Sequence, residues 1–345
     1  MEAAMRYALS RVVVLTLTVA ITGGVWLSAA PSLCAQELKE RLSLKGGRCV
    51  LFSHDGNTIA TIGADGLDLF DSNTGARKQT LKTAVNGMLY CSVAFSPDDQ
   101  LLAVGKGFFY HGDIDVWKVP SGELLWQQTD VLGVHHVPVI FSADGKSLIS
   151  PEQATSAHVL KEREKLPAEL ALSFWDAATG KRSRIITGGN RYVAQLAVSA
   201  DGKQLLSATS IQVELWDVPA GKRSGKVTIK EAAIVALGFA ADKTAAVGLQ
   251  DRVEFWNVAE GKLLRTIKTG EGCAVAFSAD GTLLACATSK EVKLWDTQTG
   301  DLKVSLPLAN MSGVALSPDR KTLATLNADG LIQLWDIARI VDRGK

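Results

Sequence analysis

The feature that most constrains this chain is an aromatic anchor that returns at a nearly fixed interval. Val292-Lys293-Leu294-Trp295-Asp296-Thr297-Gln298-Thr299-Gly300 is a short alternating run that ends in Trp-Asp, followed by a turn closed by glycine. The same pattern surrounds Trp117, Trp175, Trp216, Trp256 and Trp335, with Phe70 in the equivalent place near the start. From Trp175 onward the anchors are 41, 40, 39 and 40 residues apart. A fixed period of about 40 residues marks a repeat architecture, in which each unit buries its apolar face only against its neighbours.

A second signal precedes each anchor. Phe52-Ser53-His54-Asp55-Gly56, Phe141-Ser142-Ala143-Asp144-Gly145 and Phe277-Ser278-Ala279-Asp280-Gly281 are typical, and related stretches begin at Phe95, Val198, Phe239 and Leu316. Each is the end of an apolar alternating run that meets a turn. Asp and Pro initiate such turns, and Gly supplies positive φ without a Cβ clash. Another apolar run follows, as in Thr282-Leu283-Leu284-Ala285-Cys286. These two runs read as a hairpin, strands A and B. The Trp-Asp run is strand C, and Lys262-Leu263-Leu264-Arg265-Thr266-Ile267 after its turn is strand D. Four short antiparallel strands, seven times over, predict an all-β fold: a seven-bladed β-propeller.

The pairing of Phe-Ser-Ala-Asp-Gly with Leu-Trp-Asp and a following Thr-Gly resembles the WD40-repeat family over roughly residues 37 to 340. The resemblance implies propeller blades and protein or peptide partners engaged through loop faces. One departure is plain. Members of that family commonly carry a Gly-His pair before strand A, whose His joins the strand C Trp in a buried network. No Gly-His pair occurs in this sequence, so that network is not expected.

The seventh repeat has signals for strands A, B and C but not D. The glycine five residues after each anchor is Gly75, Gly122, Gly180, Gly221, Gly261 and Gly300, whereas Ile340 stands there in the seventh. At the other end, Glu37 to Leu44 precedes the first strand A, and Leu42-Ser43-Leu44 alternates like a strand D. An open propeller would bare a sheet edge at each end, and unpaired edges invite association. The N-terminal strand is therefore expected to complete the last blade.

Residues 1–35 read as a secretory signal peptide, leaving 36–345 as the propeller. Arg6 and Arg11 precede an uncharged run from Val12 to Gln36, with a dense apolar core from Val12 to Ile21 and small residues towards Ala35. A basic start, a short apolar core and a small-residue end are the parts of such a signal. The alternative is an uncleaved membrane anchor, since a span needs about 20 apolar residues. Leu33 before Cys34 argues against a lipoprotein site. Beyond residue 35 the chain carries 35 basic and 35 acidic side chains. That balance argues against nucleic acid and against electrostatic attachment to a membrane once the signal is removed. The expected product is an exported, periplasmic or extracellular monomer. Cys49, Cys91 and Cys273 stand at the starts of strands A in different blades, so they and Cys286 are expected as free thiols, with Cys273 and Cys286 the first pair to test.

Catalytic motifs are absent. There is no Gly-x-x-x-x-Gly-Lys-Ser/Thr loop, no Gly-x-Ser-x-Gly elbow, no His-Glu-x-x-His and no Cys-x-x-Cys. The recurrent aspartates sit where turns need them. No cofactor, metal ligand set or catalytic residue is predicted. The one uneven residue type is histidine: of five, four fall in repeats two and three. The strand B to C connection of repeat two, Gly105 to Gly112, carries Phe108, Phe109, Tyr110 and His111. His135 and His136 lie in the following D to A connection, and His158 in the long B to C connection of repeat three, Pro151 to Leu170. Both kinds of connection emerge on one face of a propeller, so these seven residues form the candidate partner-binding patch. Simple packing among inserted residues is the competing account. Two functions remain in view: a non-catalytic scaffold for a protein or peptide, and a propeller enzyme, hydrolase or oxidoreductase, with chemistry at the channel mouth. The lack of repeated His or acidic residues at strand A starts favours the scaffold.

Overall fold

A computed structural model describes residues 39–341, apart from 64–65, 84–89, 109–110, 130, 132–136, 153–169, 190–192, 231, 241–243 and 271–273. The proposed signal segment, 1–35, lies outside the described residues. Seven sheets of four antiparallel strands follow one another along the chain. In blade 4, strands A to D are Gln195–Val198, Gln204–Ala208, Gln212–Asp217 and Lys222–Thr228. The ring closes as the sequence predicts. Glu40–Lys45 pairs antiparallel with Leu331–Asp336 as the outer strand of blade 7. Leu44 is buried, Leu42 half-buried and Ser43 exposed, so the two leucines share the inward face. Where a C–D turn would have continued the chain, a short helix, Ala338–Val341, follows instead.

Side-chain alternation along strand C decides how blades stack, because successive residues point to opposite faces. Trp216 faces backward and packs with Ile149, Leu172, Phe174 and Ile186 of blade 3. Its neighbour Leu215 faces forward, into a cluster with Ala245 and Val247 of blade 5. The same rule puts Trp117 on blade 1, Trp175 on blade 2, Trp295 on blade 5 and Trp335 on blade 6. Phe70 packs on Leu326, Ile332 and Leu334 of blade 7. Each interface between successive blades, the closing one included, thus has its own apolar cluster.

The turns explain the sequence motif. At the A–B turn of blade 6, Ser278 Oγ donates to Asp280 Oδ1 at 2.6 Å and accepts from Leu283 N at 2.9 Å. The Ser-to-Asp bond recurs at Ser53, Ser96, Ser142, Ser199 and Ser317. In blade 2 the Ser96 hydroxyl and the Gln100 N–H hold the Asp98 carboxyl below its usual pKa. At the C–D turn, Asp296 Oδ1 accepts from Gln298 N and Thr299 N, and Gly300 closes the turn at φ +81°. Two positions of the A–B turn that take left-handed backbone without glycine use their side chains on the preceding blade. Asp99 (φ 57°) accepts from His54 N and Asp55 N, both at 2.8 Å. Arg320 (φ 59°) reaches Asp280 Oδ2 at 2.9 Å.

Most of the indole N–H groups find partners within their own blade. Trp175, Trp216 and Trp335 donate to Ser150, Ser207 and Thr325 on the paired strand B, at 2.8–3.0 Å. Val104 and Val247 occupy that strand B position in blades 2 and 5. Trp256 turns to Glu254 Oε2 instead, at 2.9 Å, and buried Trp117 Nε1 has no partner among the described residues.

Three expectations need correction. Trp256 is only half-buried, unlike the other six anchors. Ala245 stands opposite it, where the other tryptophans face leucine, and a cavity of about 150 Å³ opens beside Ala245, Leu215 and Phe239. Cys286 is disulfide-bonded rather than a free thiol, to a partner whose side chain lies outside the described residues. The Gly105–Gly112 stretch of blade 2 is not a loop. It is ladder, with strands B and C running Leu101–Phe108 and His111–Lys118; in blade 3, strand B likewise continues through Pro151 to Glu152.

Replacing Trp216 by Ala is expected to cost about 3–5 kcal/mol in denaturant titration, the range for a large buried aromatic, and Trp256→Ala roughly half as much. Equal losses at both sites would contradict the half-buried setting of Trp256. Deleting residues 36–44 is expected to bare Leu331–Asp336 as an edge, lowering the melting temperature and producing concentration-dependent association in sedimentation experiments.

Candidate functional site

The hairpin of blade 2 is the most irregular described part of the ring. Its strands B and C have 8 residues each, against 5 and 6 in blade 4 and 4 and 6 in blade 5. The ladder continues to the pair Phe108 and His111. Two of the seven residues of the predicted patch, Phe108 and His111, therefore stand, by backbone position, at the described end of the hairpin ladder. Phe109, Tyr110, His135, His136 and His158 lie outside the described residues, as do the side chains of Phe108 and His111.

Three glycines, at 105, 107 and 112, lie in the extended part of the ladder. At Gly105 the reason is contact: a Cβ would fall 2.0 Å from the carbonyl oxygen of Val137. Val137 belongs to the connection into blade 3, and Val131, at the start of that connection, donates its N–H to Gly112 O at 2.7 Å. The connection between Gln128 and Ile140 is thus tied to the hairpin on both sides of His135 and His136. Val139 N adds a bond to Ser92 Oγ at 3.1 Å.

A charged network holds the opposite side. Lys106 and Asp115 are both 3% exposed. Lys106 Nζ lies 2.7 Å from Asp115 Oδ2 and 4.0 Å from Asp113 Oδ2. Thr83, from the connection out of blade 1, donates to Asp115 Oδ2 at 2.6 Å, and Gln127 of strand D donates to Oδ1 at 2.9 Å. The carboxylate is therefore fully served. A buried pair of this kind offers little net stability over an apolar pair, but it specifies one arrangement, because breaking it strands a charge. In sequence, Gly105-Lys106-Gly107 reads as a short glycine signal; the network was visible only as a lysine at an inward-facing ladder position opposite an aspartate. Asp99 was missed for the same reason, because its partners are in another blade.

The fifth histidine, His54, is on the other face, with Nδ1 3.1 Å from Asp99 Oδ1. Among the described residues no group of three or more His, Cys, Asp or Glu side chains converges as metal ligands do. The hairpin backbone is held by neighbouring segments on two sides, and its buried ion pair is engaged by Thr83 and Gln127.

Comparison with known proteins agrees with the architecture. The family model for the WD domain, G-beta repeat, matches residues 261–296 and 307–336, that is, strand D of blade 5 with strands A to C of blade 6, and strands A to C of blade 7. Autophagy-related protein 16 of Arabidopsis thaliana is 25% identical over 177 residues, covering 48% of this chain and 34% of that protein. Telomerase protein component 1 of Rattus norvegicus is 24% identical over 333 residues, 91% of this chain but 11% of that protein. The target of rapamycin complex subunit wat1 of Schizosaccharomyces pombe is 29% identical over 99 residues, covering 26% and 31% respectively. This chain thus spans about a third or less of the length of these relatives.

Lys106→Met is expected to cost about 3–5 kcal/mol, because Asp115 would be left buried without its counter-charge. Lys106→Met together with Asp115→Leu is expected to recover most of that loss in denaturant titration. A double variant as unstable as the single one would show that the pair's worth is net attraction rather than mutual compensation.

Proposed function

We propose that this WD40-repeat propeller is a non-catalytic, exported scaffold. It binds a protein or peptide partner through the face that carries the blade 2 hairpin and the adjoining connections of blades 2 and 3. The observation that carries this reading is the clamping of that hairpin from both sides, by Lys106–Asp115–Thr83 towards blade 1 and by Val131 and Val137 towards blade 3. A projecting element fixed in advance loses little further freedom on binding, which favours affinity. Its tip sequence, Phe108-Phe109-Tyr110-His111, is rich in the aromatic residues that anchor interfaces. The relative that is a subunit of the target of rapamycin complex supports a role in assembly.

Export has two supports. One is the basic start and apolar core of residues 1–35. The other is the disulfide at Cys286, since disulfides persist in oxidising compartments. Cleavage near Ala35 releases a monomeric propeller. Retention of the segment would tether the same propeller to a membrane.

The test of the binding face is a quadruple change of Phe108, Phe109, Tyr110 and His111 to Ser. Partner capture from the exported fraction of the source is expected to fall at least tenfold while the melting temperature shifts by only a few degrees, as for surface changes. Undiminished capture, or loss of the fold, would mean that these residues pack rather than bind.

A further inference from the structure

Charge on the propeller is balanced in total but not in place. The outer strands of blades 3, 4 and 5, with the residue that follows each C–D glycine, each carry three cations and no carboxylate. The outer strands of blades 2, 6 and 7, read in the same way, each include an acidic residue: Glu123, Asp301 and Glu40. Lys181, Lys222, Lys226, Lys262 and Lys268 are all exposed. None has an ion-pair partner among the described residues. On the outer strands or C–D turns of blades 1, 2 and 6, by contrast, Lys78 is paired with Asp71, Lys118 with Glu123 and Lys303 with Asp296, while Lys45, Lys82, Lys290 and Lys321 are exposed elsewhere on the ring without an ion pair among the described residues. Of the four arginines of the three strands, Arg182 is engaged and the other three do different work. Arg184 reaches Pro219 O in the next blade, Arg223 binds Glu214, and Arg265 stacks over Phe255. Among the described residues the cations of these strands without a carboxylate partner are therefore Lys222, Lys226, Lys262 and Lys268, whereas Lys181 lies near enough to Asp176 to help lower its pKa.

Two further features narrow the ligand. Strand D is the outermost strand of each sheet, so the cations of these three strands lie along the rim of the ring. Among the lysines of blade 5 stand Leu263 and Leu264, 43% and 47% exposed. A pure polyanion has no use for leucines. The three strands contain no Phe, Tyr or Trp, so they lack the stacking platforms on which single-stranded nucleic acid is held. A flat anionic membrane also fits poorly, because three of seven radial blades turn through roughly 100°. A flexible extended segment can follow that arc.

We propose that the outer edges of blades 3 to 5 form a basic belt that takes an extended acidic polypeptide, with its carboxylates on the unpaired lysines and its apolar side chains on Leu263 and Leu264. This surface is separate from the blade 2 hairpin and does not depend on it.

The probe is a fluorescent peptide of about ten residues alternating Glu and Val, roughly 33 Å when extended and so long enough to reach from one outer strand to the next. Fluorescence anisotropy on the full chain is expected to show binding that weakens as salt rises. Changing Lys222, Lys226, Lys262 and Lys268 to Glu is expected to weaken it at least tenfold. The same number of reversals on exposed lysines of other blades, Lys45, Lys82, Lys290 and Lys321, is expected to leave it within about twofold. Equal effects of the two sets would overturn the belt. So would oligodeoxythymidine or phosphatidylglycerol vesicles binding as tightly as the peptide, since the site would then be a generic anion surface. Failure of the peptide to bind at all would leave the lysines as guards against edge pairing. The Phe108–His111 variant is expected to bind the peptide normally; if it does not, the peptide sits on the hairpin face and the belt is wrong.

Discussion

The ring depends on an aromatic side chain of each blade being sealed by the blade before it. Trp216 is completely buried, yet much of what buries it belongs to blade 3. No blade is a finished unit, and stability is a property of neighbours. The constraint is hardest on Phe70, whose burying surface comes from blade 7 at the far end of the chain. Closure is therefore part of the first blade's core as well as of the last blade's sheet. Leu44 serves both. It belongs to the strand that pairs with Leu331–Asp336, and it packs in the same cluster as Phe70.

The outer strand of blade 7 shows that the blade, not the turn, sets strand geometry. In six blades the C–D ladder shifts register just before the anchor, as between Leu215 and Trp216 and between Leu294 and Trp295. Those blades enter strand D through a glycine turn. Blade 7 has no such turn, yet Glu40 and Leu42 face Trp335 and Leu334 across the same kind of shift. Bulges sharpen local twist, and one at the anchor lets the large ring lie back on the preceding sheet. A strand from the other end of the chain adopts the bulge because Trp335 needs the same placement as Trp216.

What was legible in the sequence was what is local. The Ser-x-Asp turn, the Trp-Asp turn and the two-residue alternation act within about ten residues, and seven copies make the pattern unmistakable. The position of the N-terminal strand was legible because a missing seventh strand D and an orphan alternating run complement each other. What escaped notice depends on a second chain segment. Trp256 looks like every other anchor, but Ala245 across the ladder leaves it half-buried. Gly105 looks like a loop residue until the carbonyl of Val137 is placed against it. Lys106 looks like a surface lysine until Asp115, Thr83 and Gln127 gather round one carboxylate. At the candidate face, the sequence reads as a connection what is ladder as far as the pair Phe108 and His111.

Repetition also separates what the fold requires from what it merely permits. A feature present in all blades, such as the anchor or the bulge, is spent on the ring and says little about function. Departures confined to one or a few adjacent blades are not demanded by closure. The long hairpin of blade 2 is one: an eight-residue ladder is unnecessary for packing, since strands of four to six residues suffice in blades 4 and 5. The three cations and no carboxylate on each outer strand of blades 3 to 5 are another, because blade 1 has only two cations there and pairs both, and blades 2 and 6 carry Glu123 and Asp301 in the same place. A buried ion pair makes the same point energetically. Lys106 and Asp115 could be exchanged for apolar residues at little cost to stability, so their presence is better explained by the single arrangement they enforce on the hairpin than by the strength of the ring.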